Sequence, residues 1–143
     1  MKKELRAYIE AELRDYHQTK QDLLELREDL LSESPAPPDG MPKGNATSDS
    51  TYQRTVKLMT NRRIRYLQRL LEGLDAVLSE LPPDKMKYIE LKYWTKPQLL
   101  TDAGIAAQIP CDRTTLWRWN NEICTAIGVQ LGIVDELQQE CNI

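Results

Sequence analysis

The segment from Gly104 to Asn120 constrains the fold of this chain more than any other. A short apolar pattern is followed by a break at Pro110 and Cys111, and a longer apolar pattern starts after Asp112. Asp is a preferred helix-capping residue, so the carboxylate of Asp112 is predicted to cap the second helix. The segment therefore predicts two helices joined by a tight turn, the arrangement of a helix-turn-helix that enters the DNA major groove.

The second predicted helix has two chemically different faces. Its apolar residues recur at steps of three and four, which predicts a single buried face. That face consists of Leu116, Trp119, Ile123 and Ile127. The other face is rich in Arg and Asn, whose side chains can read base edges with paired hydrogen bonds. The candidate DNA contacts are Arg113, Thr114, Thr115, Trp117, Arg118 and Asn121, together with Lys96 before the motif.

An ordinary amphipathic helix in a bundle is the alternative interpretation of this segment. Trp117 argues against it, because this residue lies off the apolar face and a large exposed aromatic side chain without a partner is uncommon. Arg113, the first residue after the cap, is expected to lie nearer the base edges. Arg118 lies more than a turn later and is expected to clamp a phosphate.

The charge of the chain is unevenly distributed. The formal net charge is −3, yet residues 51–100 contain ten Lys or Arg and five Asp or Glu. Local positive charge is what meets phosphate, so the overall acidity does not exclude DNA binding. Two basic groups in this stretch could be either a solvated surface or phosphate contacts. They are Arg62, Arg63, Arg65 and Arg69, and then Lys85, Lys87, Lys92 and Lys96.

The chain before the motif divides into three segments. Residues 1–31 lack Gly and Pro and carry an apolar stripe with a seven-residue repeat, which predicts one long amphipathic helix. Residues 32–50 are rich in Pro and Gly and are predicted to form a linker. Residues 51–81 carry a three-four leucine spacing typical of a long coiled-coil helix. A helix-turn-helix domain is expected at 82–132 and a tail at 133–143.

The leucine stripes allow two arrangements within an all-α fold. They could pair with each other in one chain as a helical hairpin, or they could pair between protomers as a coiled coil. We favour pairing between protomers, in a homodimer or higher homo-oligomer, because two half-sites raise affinity and specificity for DNA. The residues predicted to hold the oligomer are Leu67, Leu70, Leu74 and Val77.

The order of motifs along residues 3–128 resembles a known family. The Leu81-Pro-Pro start, the Leu91-Lys-Tyr element and the Ile105-Ala helix resemble the C-terminal DNA-binding region of bacterial sigma factors. The whole chain is more similar to the RinA-type (ArpU/RinA) phage transcriptional activators. The matching elements are Tyr8-Ile-Glu, Leu13, Tyr16, Thr19-Lys20, Leu26-Arg-Glu, Thr60-Asn-Arg-Arg, Glu90-Leu-Lys-Tyr-Trp, and Arg113-Thr through Arg118-Trp119.

The resemblance implies a phage or prophage regulator that binds DNA upstream of late genes and activates them. Host RNA polymerase is then a potential partner. The turn departs from the pattern, because Pro110 stands where many such turns carry Gly, and Pro cannot adopt a positive φ.

Other features exclude several classes of function. The carboxylates have neither a nucleophile–base pair nor a phosphate-cradling Gly loop beside them, so we expect no enzyme and no cofactor. His17 is expected to be solvent-exposed, and Cys111, Cys124 and Cys141 lack metal-ligand spacing. Their odd number fits a reducing cytoplasm, here that of a bacterial host cell. The absence of a long apolar run or signal core predicts a chain without a membrane segment.

Two further functions compete with transcription activation. A phage small terminase subunit, which binds packaging-site DNA, also combines a helix-turn-helix with oligomerising helices. The sigma-like element at 81–94 favours the activator over the terminase. A structural coiled-coil adaptor whose helix-turn-helix binds protein is the third alternative, and salt-sensitive DNA binding would exclude it.

Overall fold

A computed structural model of the chain describes residues 1–32 and 46–135. All regular structure in these residues is α-helical, as the sequence predicts. The helices are α1 (Lys3–Arg14), α2 (Tyr16–Ser32), α3 (Ala46–Leu78), α4 (Pro83–Tyr93), α5 (Asp102–Gln108) and α6 (Arg113–Gln130). None of them is long and apolar enough to cross a membrane. Most of the predicted linker and most of the predicted tail lie outside the described residues.

The chain forms two compact units. The first contains Met1–Tyr16 together with the chain from Leu71 onward, and the second contains His17–Leu70. The first unit therefore joins α1 and the end of α3 to α4, α5 and α6. This grouping differs from the predicted segments, in which residues 1–31 stood apart from the helix-turn-helix, because the apolar side of α1 packs on α6 and α4.

The predicted single helix at the start of the chain is wrong in one respect. Asp15 separates α1 from α2, with φ −88° and ψ 5°. Its backbone N–H still donates to the carbonyl of Ala11 at 3.1 Å, so the interruption is local. No Gly or Pro marks this position. The next residue, Tyr16, stacks on the ring of Trp94, which holds the junction against the first unit.

Helix α3 has different bounds from the predicted 51–81. It begins at Ala46, inside the predicted linker, and it ends at Leu78 rather than at the proline pair. The helix is followed by a tighter turn, in which the N–H groups of Glu80 and Leu81 donate to carbonyls only three residues earlier. Pro83 instead occupies the first turn of α4, where its missing N–H costs no hydrogen bond.

The core of the first unit is formed by side chains of five helices. Ile9 and Leu13 of α1 are fully covered, as is Leu74 of α3. They share this core with Tyr88, Ile89, Ile105, Ile123 and Ile127. Gly128 permits the close packing, because a Cβ there would lie 2.6 Å from Val134 Cγ2 and 3.2 Å from Ile9 Cδ1.

The end of α6 is closed by a Schellman motif. The N–H of Ile133 donates to the carbonyl of Gly128, and that of Gly132 donates to the carbonyl of Val129, both at 3.0 Å. Gly132 has φ +75°, a conformation that favours glycine. The turn directs Val134 back onto α6, where it is buried.

The predicted oligomer seam is already covered within one chain. The exposed fractions of Leu67, Leu70, Leu74 and Val77 are 9%, 2%, 0% and 8%. Side chains covered this completely are not available to a second protomer, whereas Tyr52, Met59 and Tyr66 of α3 are exposed. Their burial favours the intramolecular arrangement over the pairing between protomers that the spacing suggested.

Candidate nucleic-acid interface

Helices α5 and α6 pack on each other and are joined by residues 109–112. Thr101 caps α5, because its hydroxyl accepts a hydrogen bond from the N–H of Gly104 at 3.2 Å. Asp112 occupies the cap position of α6, but its carboxylate makes no capping hydrogen bond, so the predicted side-chain cap is wrong.

The turn between the two helices is built without a positive φ. Among the described residues, only Gly132 has one. The N–H of Cys111 donates to the carbonyl of Ala106 at 3.1 Å, which closes the turn around Pro110. Proline at this position is therefore compatible with the helix-turn-helix connection, although many turns of this kind carry Gly there.

The candidate DNA contacts differ in their exposure. The side chains of Arg113, Thr114, Trp117 and Arg118 are exposed, and that of Trp117 is 63% exposed. The side chain of Thr115 is half-buried. Asn121 is also half-buried, and its side-chain oxygen is covered without a hydrogen-bond partner. The sequence predicts an amide that is free to contact DNA, and this oxygen is not accessible for such a contact.

The exposed residues of α6 form two stripes. Arg113 and Trp117 lie one turn apart and line a cleft of about 580 Å³, which Tyr88 and Lys92 of α4 also line. Arg118 does not line this cleft. Because a helix turns about 100° per residue, Arg118 and Thr114 lie within about 40° of each other, and Thr114 also lines the cleft.

The apolar face of α6 is largely as predicted. Leu116, Ile123 and Ile127 are at most 2% exposed. Trp119 is only half-buried, so its predicted place in the core is wrong. The indole lies at the edge of the core, where its ring meets the ring of Tyr88 edge-on at a centroid distance of 6.3 Å.

A buried polar network anchors α6 from behind. The phenol of Tyr93 on α4 donates to the side-chain oxygen of Asn120. The side-chain nitrogen of Asn120 donates to Glu10 of α1 at 2.9 Å. Asn120 is buried, so both ends of its amide are matched by partners on two other helices. Sequence analysis missed this residue, although it continues the buried spacing of Leu116 and Ile123.

Burial also controls the titration of the groups around this network. It raises the pKa of the Cys124 thiol to about 12, with the charge of Glu10 adding to the effect. Burial likewise raises the pKa of the Tyr93 phenol above its ordinary range. Both groups are therefore neutral at physiological pH.

Four lysines near the motif were candidates for phosphate contacts, and three of them have partners within the chain. Lys85 pairs with Glu122 of α6 at 3.1 Å, and Lys87 donates to the carbonyl of Gln108 at 3.4 Å. The Lys92 ammonium lies 3.5 Å from the Asp102 carboxylate and over the rings of Tyr88 and Tyr93. Lys96 is exposed and has no such partner among the described residues.

The two arginines of α6 also have no carboxylate partner. The side chains of Arg113 and Arg118 form no salt bridge or hydrogen bond within the described part of the chain. Comparison with known proteins found no protein-family model, curated protein or solved structure that matches this chain. Across residues 1–32 and 46–135, no group of three His, Cys, Asp or Glu side chains is arranged to hold a metal ion.

Proposed function

We propose that this protein binds double-stranded DNA in a sequence-specific manner through α5 and α6. The observation that carries the proposal is the pair of exposed, unpaired arginines on a helix whose other side is fixed to its own domain. An anchored helix with free guanidinium groups can enter the major groove without first breaking internal salt bridges.

The geometry of α6 supports different proposed roles for its two arginines. Arg118 lies about 160° from Leu116 around the helix, so it projects away from the buried face. Arg113 lies only about 60° from Leu116 and borders the cleft instead. We therefore assign base contact to Arg118 with Thr114, and phosphate contact to Arg113. This assignment reverses the roles that the position of Arg113 next to the cap suggested.

Trp117 supports the same interface without adding charge. Its ring is largely exposed beside Arg113 in the cleft. An aromatic face in this position can pack on a sugar or on a thymine methyl group. Lys96 is the remaining free lysine near the motif, and it is proposed to contact the DNA backbone.

The biological role proposed for this binding is activation of transcription. Its support is the resemblance of residues 3–128 to RinA-type phage activators, with the sigma-like order of α4, α5 and α6. On this proposal the protein is a cytoplasmic phage or prophage regulator of late genes, and host RNA polymerase is a partner. A small terminase subunit is the alternative for the same DNA-binding surface.

The test begins with selection of bound sequences from a pool of randomised duplexes by the full chain. An enriched motif supplies the operator for titrations of Arg118→Ala, with Arg27→Ala as the control because Arg27 is exposed on α2. Loss of a base-reading arginine is expected to cost about 1–3 kcal/mol and to relax one base position. Failure to enrich any motif would refute sequence-specific binding.

A promoter–reporter assay then separates the two biological roles. Activation from a promoter that contains the selected motif, lost in Arg118→Ala, supports the regulator. A ring of many subunits on the same DNA, with no effect on the reporter, supports the terminase subunit.

A further inference from the structure

The central part of α3 is unusually rich in positive charge. From Thr51 to Leu71 the sequence has no Asp or Glu, and the next acidic residue is Glu72. The basic residues in this stretch are Arg54, Lys57, Arg62, Arg63, Arg65 and Arg69. A solvated helix surface normally mixes both signs of charge, because paired charges at helical spacing stabilise the helix.

The cations of α3 whose side chains are described are exposed and unpaired. Lys57, Arg62, Arg63, Arg65 and Arg69 are all exposed. Within the described ranges, none of them forms a salt bridge or hydrogen bond with another side chain. Lys85 and Lys92 on α4, in contrast, each contact a carboxylate. The lack of partners is therefore a property that α3 shares with Arg113 and Arg118 of α6 and not with these two lysines of α4.

Three of these arginines form a continuous stripe. Arg62, Arg65 and Arg69 are three and then four residues apart, so they lie within about 60° of one another around the helix. Leu67 and Leu71, by comparison, are buried on the other side. Like charges at this spacing destabilise a helix, and an anion that binds across the stripe would relieve the repulsion.

The dimensions and chemistry of the stripe fit a phosphate backbone. Seven residues of helix rise about 10 Å, a length over which duplex DNA carries about six phosphate charges. The guanidinium group presents a planar pair of donors that matches phosphate oxygens. A membrane surface fits less well, because Leu67, Leu70 and Leu71 are buried and the large exposed apolar side chains in this part of α3 are Met59 and Tyr66.

We propose that Arg62, Arg65 and Arg69 form a second DNA-contact site that grips the phosphate backbone without reading sequence. This inference extends the DNA binding proposed for α6, and it rests on that function for the identity of the polyanion. The stripe supplies affinity and salt dependence, whereas α6 supplies discrimination between sequences.

The test compares two charge-matched triple variants of the full chain. Arg62→Ala/Arg65→Ala/Arg69→Ala removes the stripe, and Lys2→Ala/Lys3→Ala/Arg27→Ala removes the same charge from exposed positions elsewhere. Binding to a random-sequence duplex of about 30 base pairs is titrated between about 50 and 200 mM KCl. Circular dichroism checks that both variants stay helical, as expected because Ala favours helix.

Loss of the stripe is expected to make the slope of log affinity against log salt shallower by about 2–3. The control triple should keep a slope close to that of the parent. Equal slopes for the two triple variants would overturn the proposal. Competition by poly-glutamate as effective as that by DNA of equal charge concentration would also overturn it, in favour of an acidic protein.

Arg118→Ala separates this proposal from the proposed function. If Arg118→Ala loses sequence discrimination while the stripe variant behaves like its control, only the second site is wrong. If the stripe variant loses slope while the parent never discriminates between sequences, the stripe is a DNA contact and the sequence-specific role of α6 is wrong.

Discussion

The Tyr93 phenol donates a hydrogen bond to the side-chain oxygen of Asn120, and this contact joins α4 to the middle of α6. Glu10 of α1 accepts from the nitrogen of the same amide. The orientation of α6 is thus fixed by a hydrogen-bonded amide as well as by apolar packing. A buried amide without partners would be costly, so the network selects one register of these helices.

Replacement of Tyr93 by Phe is expected to lower the free energy of unfolding by about 1–3 kcal/mol, because the Asn120 oxygen loses its main donor. Urea denaturation followed by circular dichroism measures the change. Tyr52→Phe is the matched control, since Tyr52 is 72% exposed on α3. A Tyr93→Phe variant as stable as Tyr52→Phe would show that the network does not stabilise the fold.

Alkaline pH is expected to destabilise the protein through its buried acids. The pKa of Cys124 rises from 9.0 to about 12 on folding, and that of Tyr93 is also raised. A raised pKa means that the unfolded chain loses its proton first, so stability is complete below pH 9 and falls as the pH rises toward 12.

Cys124→Ala tests the contribution of the thiol to this pH dependence. Urea titrations at several pH values above 9 should show a smaller loss of stability per pH unit in this variant. Cys111→Ala, in which a half-buried thiol is removed, should change the dependence less. An unaltered dependence in Cys124→Ala would contradict the assignment.

Gly128→Ala is expected to lower the free energy of unfolding by about 1–3 kcal/mol, because the added methyl group overlaps Val134 and Ile9. Gly73→Ala is the control within a helix. Its new Cβ would lie 2.6 Å from Leu131 Cδ2, the end of a flexible side chain that can move, and 3.7 Å from Gln130 Cβ. Ala also favours helix by about 1 kcal/mol over Gly. Thermal melts of both variants should separate the two cases, and a Gly128→Ala variant that melts no lower than Gly73→Ala would refute the close packing.

Leu74→Ala is expected to lower the free energy of unfolding by about 2–5 kcal/mol, since the side chain is fully covered within one chain. The melting temperature of both parent and variant should not depend on protein concentration, because no subunit interface is needed for this burial. Melts over a hundred-fold range of concentration provide the measurement. A melting temperature that rises with protein concentration would support the predicted oligomer interface instead.

Trp117→Ala and Trp119→Ala are expected to act on different properties. Trp117 is largely exposed, so its loss should weaken DNA binding and leave the melting temperature nearly unchanged. Trp119 is half-buried, so its loss should cost less than the roughly 3–5 kcal/mol typical of a fully buried Trp. A melt of Trp117→Ala below that of Trp119→Ala would show that the assigned helix faces are wrong.

The local features of α4, α5 and α6 could be predicted from the sequence. Proline positions, the Thr101 cap and the three-four spacing of Leu116, Ile123 and Ile127 all depend on residues within a few positions of one another. The interruption of the first helix at Asp15 could not be predicted in this way, because this position has neither Gly nor Pro. The neighbouring Tyr16 is held by Trp94, which is distant in the sequence.

The sequence pattern could not identify which surface of the protein covers each apolar stripe. A stripe shows that a face is buried, but it carries no information about which face covers it. The same spacing in Leu67, Leu70 and Leu74 therefore suited an oligomer and a single chain equally. Prediction of the roles of the exposed residues of α6 had the same limitation, because the role of Arg118 depends on how α1, α4 and α5 orient the helix.

The packing of α1 against α6 has a consequence for synthesis in the cell. Residues at the beginning of the chain pair with residues more than a hundred positions later, as in the contact of Glu10 with Asn120. Contacts of such long sequence separation form slowly, because a large loop must close first. Because α6 is synthesised about a hundred residues after α1, the nascent chain carries Ile9 and Leu13 without their cover from α6 until that helix has left the ribosome.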